Sequence, residues 1–176
     1  MENDRYVLFR EVQRFRQLWL WLAMGVISVV PLGLYGYGIF QQLVRGVPFG
    51  DMPTSNAVLL ITGLLCMVGC GGVLVLFMTM KLITEVRSDG LYVRFYPLHF
   101  RFRKIERQEI AEYRAVKYHP VQDYGGWGIR WTFRGRAYNV RGNEGVRLDY
   151  VGGRHLLIGS QESEKFVAAL QTIWPD

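Results

Sequence analysis

Two long apolar runs dominate the first half of the chain. From Leu18 to Phe40, 23 residues pass without a charge, and from Ala57 to Met80 another 24 do. A helix needs about 20 apolar residues to cross the hydrocarbon core of a bilayer, so the runs predict transmembrane helices over 18–40 and 57–80. Trp19 and Trp21 stand at one end of the first and Tyr35 and Tyr37 near the other, as interfacial aromatic belts do. Pro31 inside it predicts a kink. The segment between the runs carries Arg45, Pro48, Asp51 and Pro53 and reads as a short polar turn. A signal peptide would have an apolar stretch of about 7–15 residues and a small-residue cleavage site. The first run is longer and lacks such an end. Residues 18–80 therefore read as a transmembrane helical hairpin.

In residues 1–17, Leu8, Val12 and Phe15 recur at helical spacing, with Arg10, Arg14 and Arg16 on other faces. This predicts an amphipathic N-terminal helix on the inner leaflet or leading straight into the membrane.

After Met80 the period changes to two. Strands are predicted over 82–87, 91–96, 100–105, 110–118, 128–133, 136–141, 145–150 and 154–158, separated by turns such as Ser88-Asp89-Gly90 and Gly142-Asn143. Leu91, Val93 and Phe95 share one face. The last segment is a helix: Ser160 is a candidate N-cap, and Phe166, Val167, Leu170, Ile173 and Trp174 form one apolar stripe. The fold class is thus an α+β membrane protein, with residues 81–176 forming a small β barrel or sandwich closed by a C-terminal α-helix. A pleckstrin-homology-like plan is the nearest analogy.

Composition changes this picture little: 50% hydrophobic and 20% charged residues are compatible with an ordered chain. Two cysteines exclude a disulfide scaffold, and with three histidines they are too few for a zinc ribbon. Charge sets an orientation. Of 21 Lys and Arg, four precede the first run, one lies in the turn and sixteen follow the second. The positive-inside rule puts both termini in the cytoplasm and the Arg45 turn outside.

No Asp, Glu, Lys, Arg or His interrupts either run, which argues against an ion path or proton relay within them. Small residues there (Gly33, Gly36, Cys66, Gly69 and Cys70) are candidates for packing against another membrane helix. In the C-terminal part, Tyr124, Gly125, Gly126, Trp127, Arg130 and Trp131 describe a constrained loop entering a strand, with Trp127 and Trp131 expected on one face. This segment reads as a partner-binding platform or as a structural corner filled by tryptophan. Arg101, Arg103, Lys104 and Arg107 cluster after the second run and are candidates for anionic lipid, each worth about 1 kcal/mol near an anionic leaflet. Arg134, Arg136 and Arg141 form a second basic group.

Nucleotide, nucleophile-elbow and zinc-protease motifs are absent from the sequence, and His99, His119 and His155 lack ligand spacing. No catalytic residue, metal or cofactor is expected, and no nucleic-acid motif accompanies the +6 charge.

The segments 9–17, 118–130, 138–142 and 158–161 resemble a family of small prokaryotic membrane proteins of unknown function. Tyr124-Gly125-Gly126-Trp127-Gly128-Ile129-Arg130 is their most specific part. The resemblance spans essentially the whole chain. It implies two transmembrane helices, a C-terminal domain similar to bacterial pleckstrin-homology domains, and no established activity. The expected function is a membrane-anchored, non-enzymatic interaction module of the prokaryotic cytoplasmic membrane. It would act as an accessory or scaffold subunit, with other integral membrane subunits as partners. Anionic-headgroup sensing and a small membrane-associated enzyme are the alternatives.

Overall fold

The computed structural model describes residues 6–133 and 135–175. The chain divides into two units, one holding residues up to Phe15 together with those from Thr79 onward, the other spanning Arg16–Met78.

The Arg16–Met78 unit is helical. α1 (Leu18–Ile39) runs unbroken through Pro31 and ends in one wide π turn at Phe40–Val44; α2 (Asn56–Thr79) follows. Both are long and apolar enough to cross a membrane. Their apolar side chains are mostly exposed, Val26, Ile27, Val29, Leu64, Leu65 and Val68 among them. A core helix of a soluble domain would bury such residues. The helices meet near the connecting loop, where a Cβ at Gly63 would lie 3.3 Å from Ile39 and 3.5 Å from Tyr35. The loop is tied by Gln42, whose Nε2 donates to the Thr54 carbonyl (2.7 Å) and to Asn56 Oδ1 (2.8 Å).

The described residues of the other unit form nine strands. Sheet A has the order β1-β2-β3-β4, formed by Val7–Arg14, Lys81–Arg87, Gly90–Tyr96 and Arg103–Ile105, all antiparallel. Sheet B has the order β5-β8-β9-β7-β6. Its strands are β5 Ile110–Lys117, β6 Gly128–Thr132, β7 Gly135–Asn139, β8 Glu144–Tyr150 and β9 His155–Gly159. β7 and β9 run parallel; the other sheet-B pairs are antiparallel. Two sheets with free edges replace the closed barrel that was one of the two expected forms. The short helix α3 (Pro120–Tyr124) precedes β6.

The C-terminal helix α4 (Ser163–Ile173) packs on β1 and β2 of sheet A and on β5 and β8 of sheet B. Its stripe works as expected: Phe166, Leu170 and Trp174 are buried, with Val167 and Ile173 partly so. They join Leu82, Val86, Leu91, Phe95, Ile105, Ile110 and Leu148 among the buried residues. Ser160 does not cap this helix. The N-cap is Glu162, whose N–H donates to Ser160 Oγ in a turn one step earlier.

The N-terminal segment is a strand, not an amphipathic helix. β1 pairs with β2 from Val7↔Arg87 to Arg14↔Lys81. The side chains alternate: Phe9, Gln13 and Phe15 are buried, while Leu8 and Val12 are 46% and 44% exposed. Burying Phe9 flat against Phe166 (centroids 5.1 Å apart, planes within 1°) and Phe15 beside Phe95 (6.4 Å) outweighs the local helical spacing. Gln13 Nε2 donates to the Gly159 carbonyl at 2.6 Å, which anchors β1 to the end of β9.

Candidate functional site

β6 is one of the two edge strands of sheet B, paired among the described residues on one side only, with β7. The loop before it is built by glycines. Gly125 ends α3 in the left-handed conformation (φ 70°), and Gly126 and Gly128 also have positive φ (116° and 114°), a region that disfavours other residues. Gly128 interrupts the alternation expected between Trp127 and Trp131. Trp127 lies before the strand, half-buried, with its indole N–H donating to the Gly142 carbonyl (3.3 Å). Trp131 lies in β6 and is 74% exposed, with the Arg136 guanidinium over its ring at 5.4 Å. Phe133, in the turn after β6, is fully exposed. Arg130 folds back, its Nε donating to the Trp127 carbonyl at 3.0 Å. The predicted segment therefore splits: Trp127 and Arg130 brace the loop, and Trp131 projects. Phe133 was not singled out from the sequence.

Tyr124 lines a cleft of about 540 Å³ together with Tyr118, Phe133, Arg147 and His155 among others. Its hydroxyl lies 3.3 Å from His155 Nε2, and its ring stands edge-on to Tyr118 (5.8 Å) and His155 (6.4 Å). Tyr118, Ala137 and Leu157 form the floor, with Val116 against it. Burial pushes the Tyr118 phenol up to about 12. It also raises that of Tyr124, against the Arg147 charge and with help from Asp123 and Asp149. Arg147 is held by Asp149 (Nη2–Oδ1 2.8 Å, with Nε donating to the same carboxylate).

A second cleft, about 450 Å³, opens beside the start of β9 and gathers Arg103, Arg136 and Arg154 with Glu109, Tyr150 and His155. No ion pair holds these arginines among the described residues. Burial raises the Tyr150 phenol, and Arg103 is the main charge opposing that rise. His99 is lowered by burial and by the Arg103 charge.

The four basic residues predicted as one patch have separate fates. Arg103 lines this cleft, and Arg101 is exposed in the loop before β4. Lys104 pairs with Glu106 (3.2 Å) and Asp89 (3.6 Å), which raises its pKa, and Arg107 donates to the Ile110 carbonyl (2.6 Å). Of the second basic group, Arg136 joins Arg103, Arg141 is exposed, and Arg134 lies outside the described residues. His155, Arg136 and Arg154 come from segments distant from Arg103 in sequence, so no local motif signals their convergence.

In the helical unit, nothing lies within 4 Å of a Cβ built at Gly33, Gly36 or Gly69. Cys66 and Cys70 are free thiols of intermediate exposure. The glycines that seat intrachain contacts are Gly63 and Gly38, a Cβ at the latter falling 2.7 Å from the Phe49 ring. Ser160 donates to Glu11 (2.6 Å), Asp149 holds Arg147, and His155 faces Tyr124. No group of three or more metal-ligating side chains occurs among the described residues.

The model of a family of unknown function (DUF6141) matches residues 1–173. No curated protein and no solved structure matches the chain.

Proposed function

This chain belongs to the DUF6141 family of unknown function, and we propose that it is a membrane-anchored interaction module, an accessory or scaffold subunit of a larger membrane complex. The carrying observation is the aromatic edge of sheet B: Trp131 and Phe133 project at a free strand edge whose supporting loop is braced from within. A free edge offers unpaired backbone groups to an added strand. Exposed aromatics beside an arginine are the residue types that dominate binding at protein interfaces.

The membrane reading rests on two helices of spanning length with exposed apolar surfaces. The β1–β2 pairing supports the even crossing number: strands flanking the helical hairpin can pair only on one side of a bilayer. With four Lys and Arg before the first helix and sixteen after the second, we read that side as the cytoplasm, and the resemblance to small prokaryotic membrane proteins supports the inner membrane as the site. The glycine faces at Gly33, Gly36 and Gly69 are open for a partner's helix. The β unit is read as pleckstrin-homology-like, supported by two mainly antiparallel sheets and a C-terminal helix packed on both; the parallel β7–β9 pair departs from an all-antiparallel plan.

The test is purification of tagged full-length protein from its own membranes in mild detergent, beside a Trp131→Ala/Phe133→Ala variant. A stoichiometric membrane partner that is lost with the variant supports the reading; a lone wild-type protein sinks it. A second reading, recognition of an anionic ligand, is favoured by the gathering of Arg103, Arg136 and Arg154 in one cleft. Loss of anion binding in Arg103→Gln/Arg136→Gln would support it.

A further inference from the structure

Sheet A carries a row of three paired positions at one end: Arg14 opposite Lys81, and Lys81 opposite Tyr96. Lys81 is the second residue after Thr79, where α2 ends. Two residues of chain reach about 7 Å at most. The same row is joined to α1 through Phe15-Arg16-Gln17. The covalent connections between this row and the two helices are therefore short.

The loop that leaves β3 after Tyr96 starts at this row. It is fixed there, since the His99 N–H donates to the Phe95 carbonyl (2.7 Å) and the Phe100 ring stands edge-on to Tyr96 at 6.3 Å. Two of its apolar side chains are exposed, Phe100 at 77% and Leu98 at 51%, while Phe102 is partly buried against Tyr92. Around them the charge is of one sign. Arg14, Arg16 and Arg101 are exposed, while Lys81 and Arg94 lie over the Tyr96 ring at 5.4 and 5.9 Å. From Tyr96 to Ile105 the sequence contains no Asp or Glu.

We propose that loop 97–102 is a membrane-interface anchor: Leu98 and Phe100 insert into the headgroup–acyl boundary of the bilayer that α1 and α2 cross, and Arg14, Arg16 and Arg101 contact anionic headgroups. An apolar tip with a cationic collar is the chemistry of interfacial insertion. The covalent tether of the same row supplies proximity without any recruitment step. The occupant is lipid rather than a protein partner, because only two residues of chain separate Lys81 from the end of a helix read as spanning the bilayer. The inference rests on the spanning reading of the two helices.

The test uses full-length protein with Cys66→Ala and Cys70→Ala and one new cysteine, by Phe100→Cys or, in the exposed β8–β9 turn, Val151→Cys. Each carries an environment-sensitive fluorophore and is reconstituted in phosphatidylcholine vesicles with or without phosphatidylglycerol. The expected result is a blue-shifted label at position 100. A shallow nitroxide lipid should quench it severalfold more than the label at 151, and more strongly when phosphatidylglycerol is present. A label at 100 as water-exposed as that at 151 overturns the anchor. So does a blue-shifted label that lipid does not quench, which would mean a protein covers the loop.

A label-free arm guards against insertion driven by the dye. Tryptic cleavage after Arg101 should be slower in vesicles than in detergent, and Leu98→Asp/Phe100→Asp should remove that difference. Equal rates for the unlabelled wild type overturn the proposal. Extraction by alkaline carbonate separates the two failures: release of the protein sinks the spanning reading as well, whereas a retained protein with an aqueous label sinks the anchor alone.

Discussion

The Glu11 carboxylate accepts the Ser160 hydroxyl at 2.6 Å across 149 positions of sequence and accepts the Gln161 N–H at 2.8 Å. The first strand thereby orders the turn that starts the last helix. Ser160 is buried, and its oxygen in turn accepts the Glu162 N–H. Glu11→Ala should cost about 1.5–3 kcal/mol, because it removes charge-assisted bonds and leaves a buried hydroxyl without its acceptor. Glu11→Gln, which keeps an acceptor oxygen, should cost less. Thermal unfolding of the full chain in detergent, followed by Trp fluorescence, orders the two variants.

Phe9 stacks on Phe166 within the core, whereas Val12, three residues on, has its side chain half in solvent. Phe9→Ala should destabilise the β unit by about 3–5 kcal/mol, and Val12→Ala by much less. If the segment were a surface helix with Leu8 and Val12 inward, the order would reverse. Denaturant titration of the two variants decides between these arrangements.

Gly135 begins β7 where it runs parallel to β9, and a Cβ there would overlap the His155 carbonyl oxygen. The obstacle is backbone, so no side chain can move aside. Gly135→Ala should cost about 3 kcal/mol or more, seen as a lowered Tm. Gly152→Ala, with nothing within 4 Å of the added carbon, provides the neutral control.

Burial holds the Tyr118 phenol neutral up to about 12 in the folded chain, against an ordinary value of 10.0. The folded state keeps this proton longer than the unfolded state does. Stability is therefore unaffected by this group below pH 10 and falls as pH rises from 10 towards 12. The slope from this one group approaches about 1.4 kcal/mol per pH unit. Tyr118→Phe should flatten that decline. Chemical denaturation at pH 9, 10 and 11 measures it, and equal slopes in both proteins would contradict the assignment.

The strands from Lys81 onward were legible because apolar residues alternate in the sequence and Gly turns punctuate them; Leu91, Val93 and Phe95 lie inside as their spacing says, although Tyr92 between them is buried as well. The last helix was legible through the Phe166, Leu170 and Trp174 stripe. β1 was not, because two periods coexist in it. Leu8, Val12 and Phe15 fit a helix, while Phe9, Glu11, Gln13 and Phe15 fit a strand. What decides between them is a partner strand that follows both long helices, beyond the reach of any local pattern. At the candidate docking edge the loop glycines were visible. The projection of Trp131 rather than Trp127 depends on the positive φ of Gly128, and the exposure of Phe133 depends on β6 having no outer neighbour. The gathering of Arg103, Arg136 and Arg154 is a property of sheet topology, not of sequence proximity.

The pairing of β1 with β2 also fixes an order of assembly. β1 precedes both apolar helices in the chain, yet its partner emerges only after they have been made. Until then Phe9 and Phe15 have no core to enter and the strand offers two open edges. On the proposed reading of both helices as membrane-spanning, the first ladder of sheet A would close only in a chain whose helical hairpin is complete and whose two flanks lie on the same side; a chain with one helix misthreaded would leave its β unit lacking the strand against which Phe166 packs.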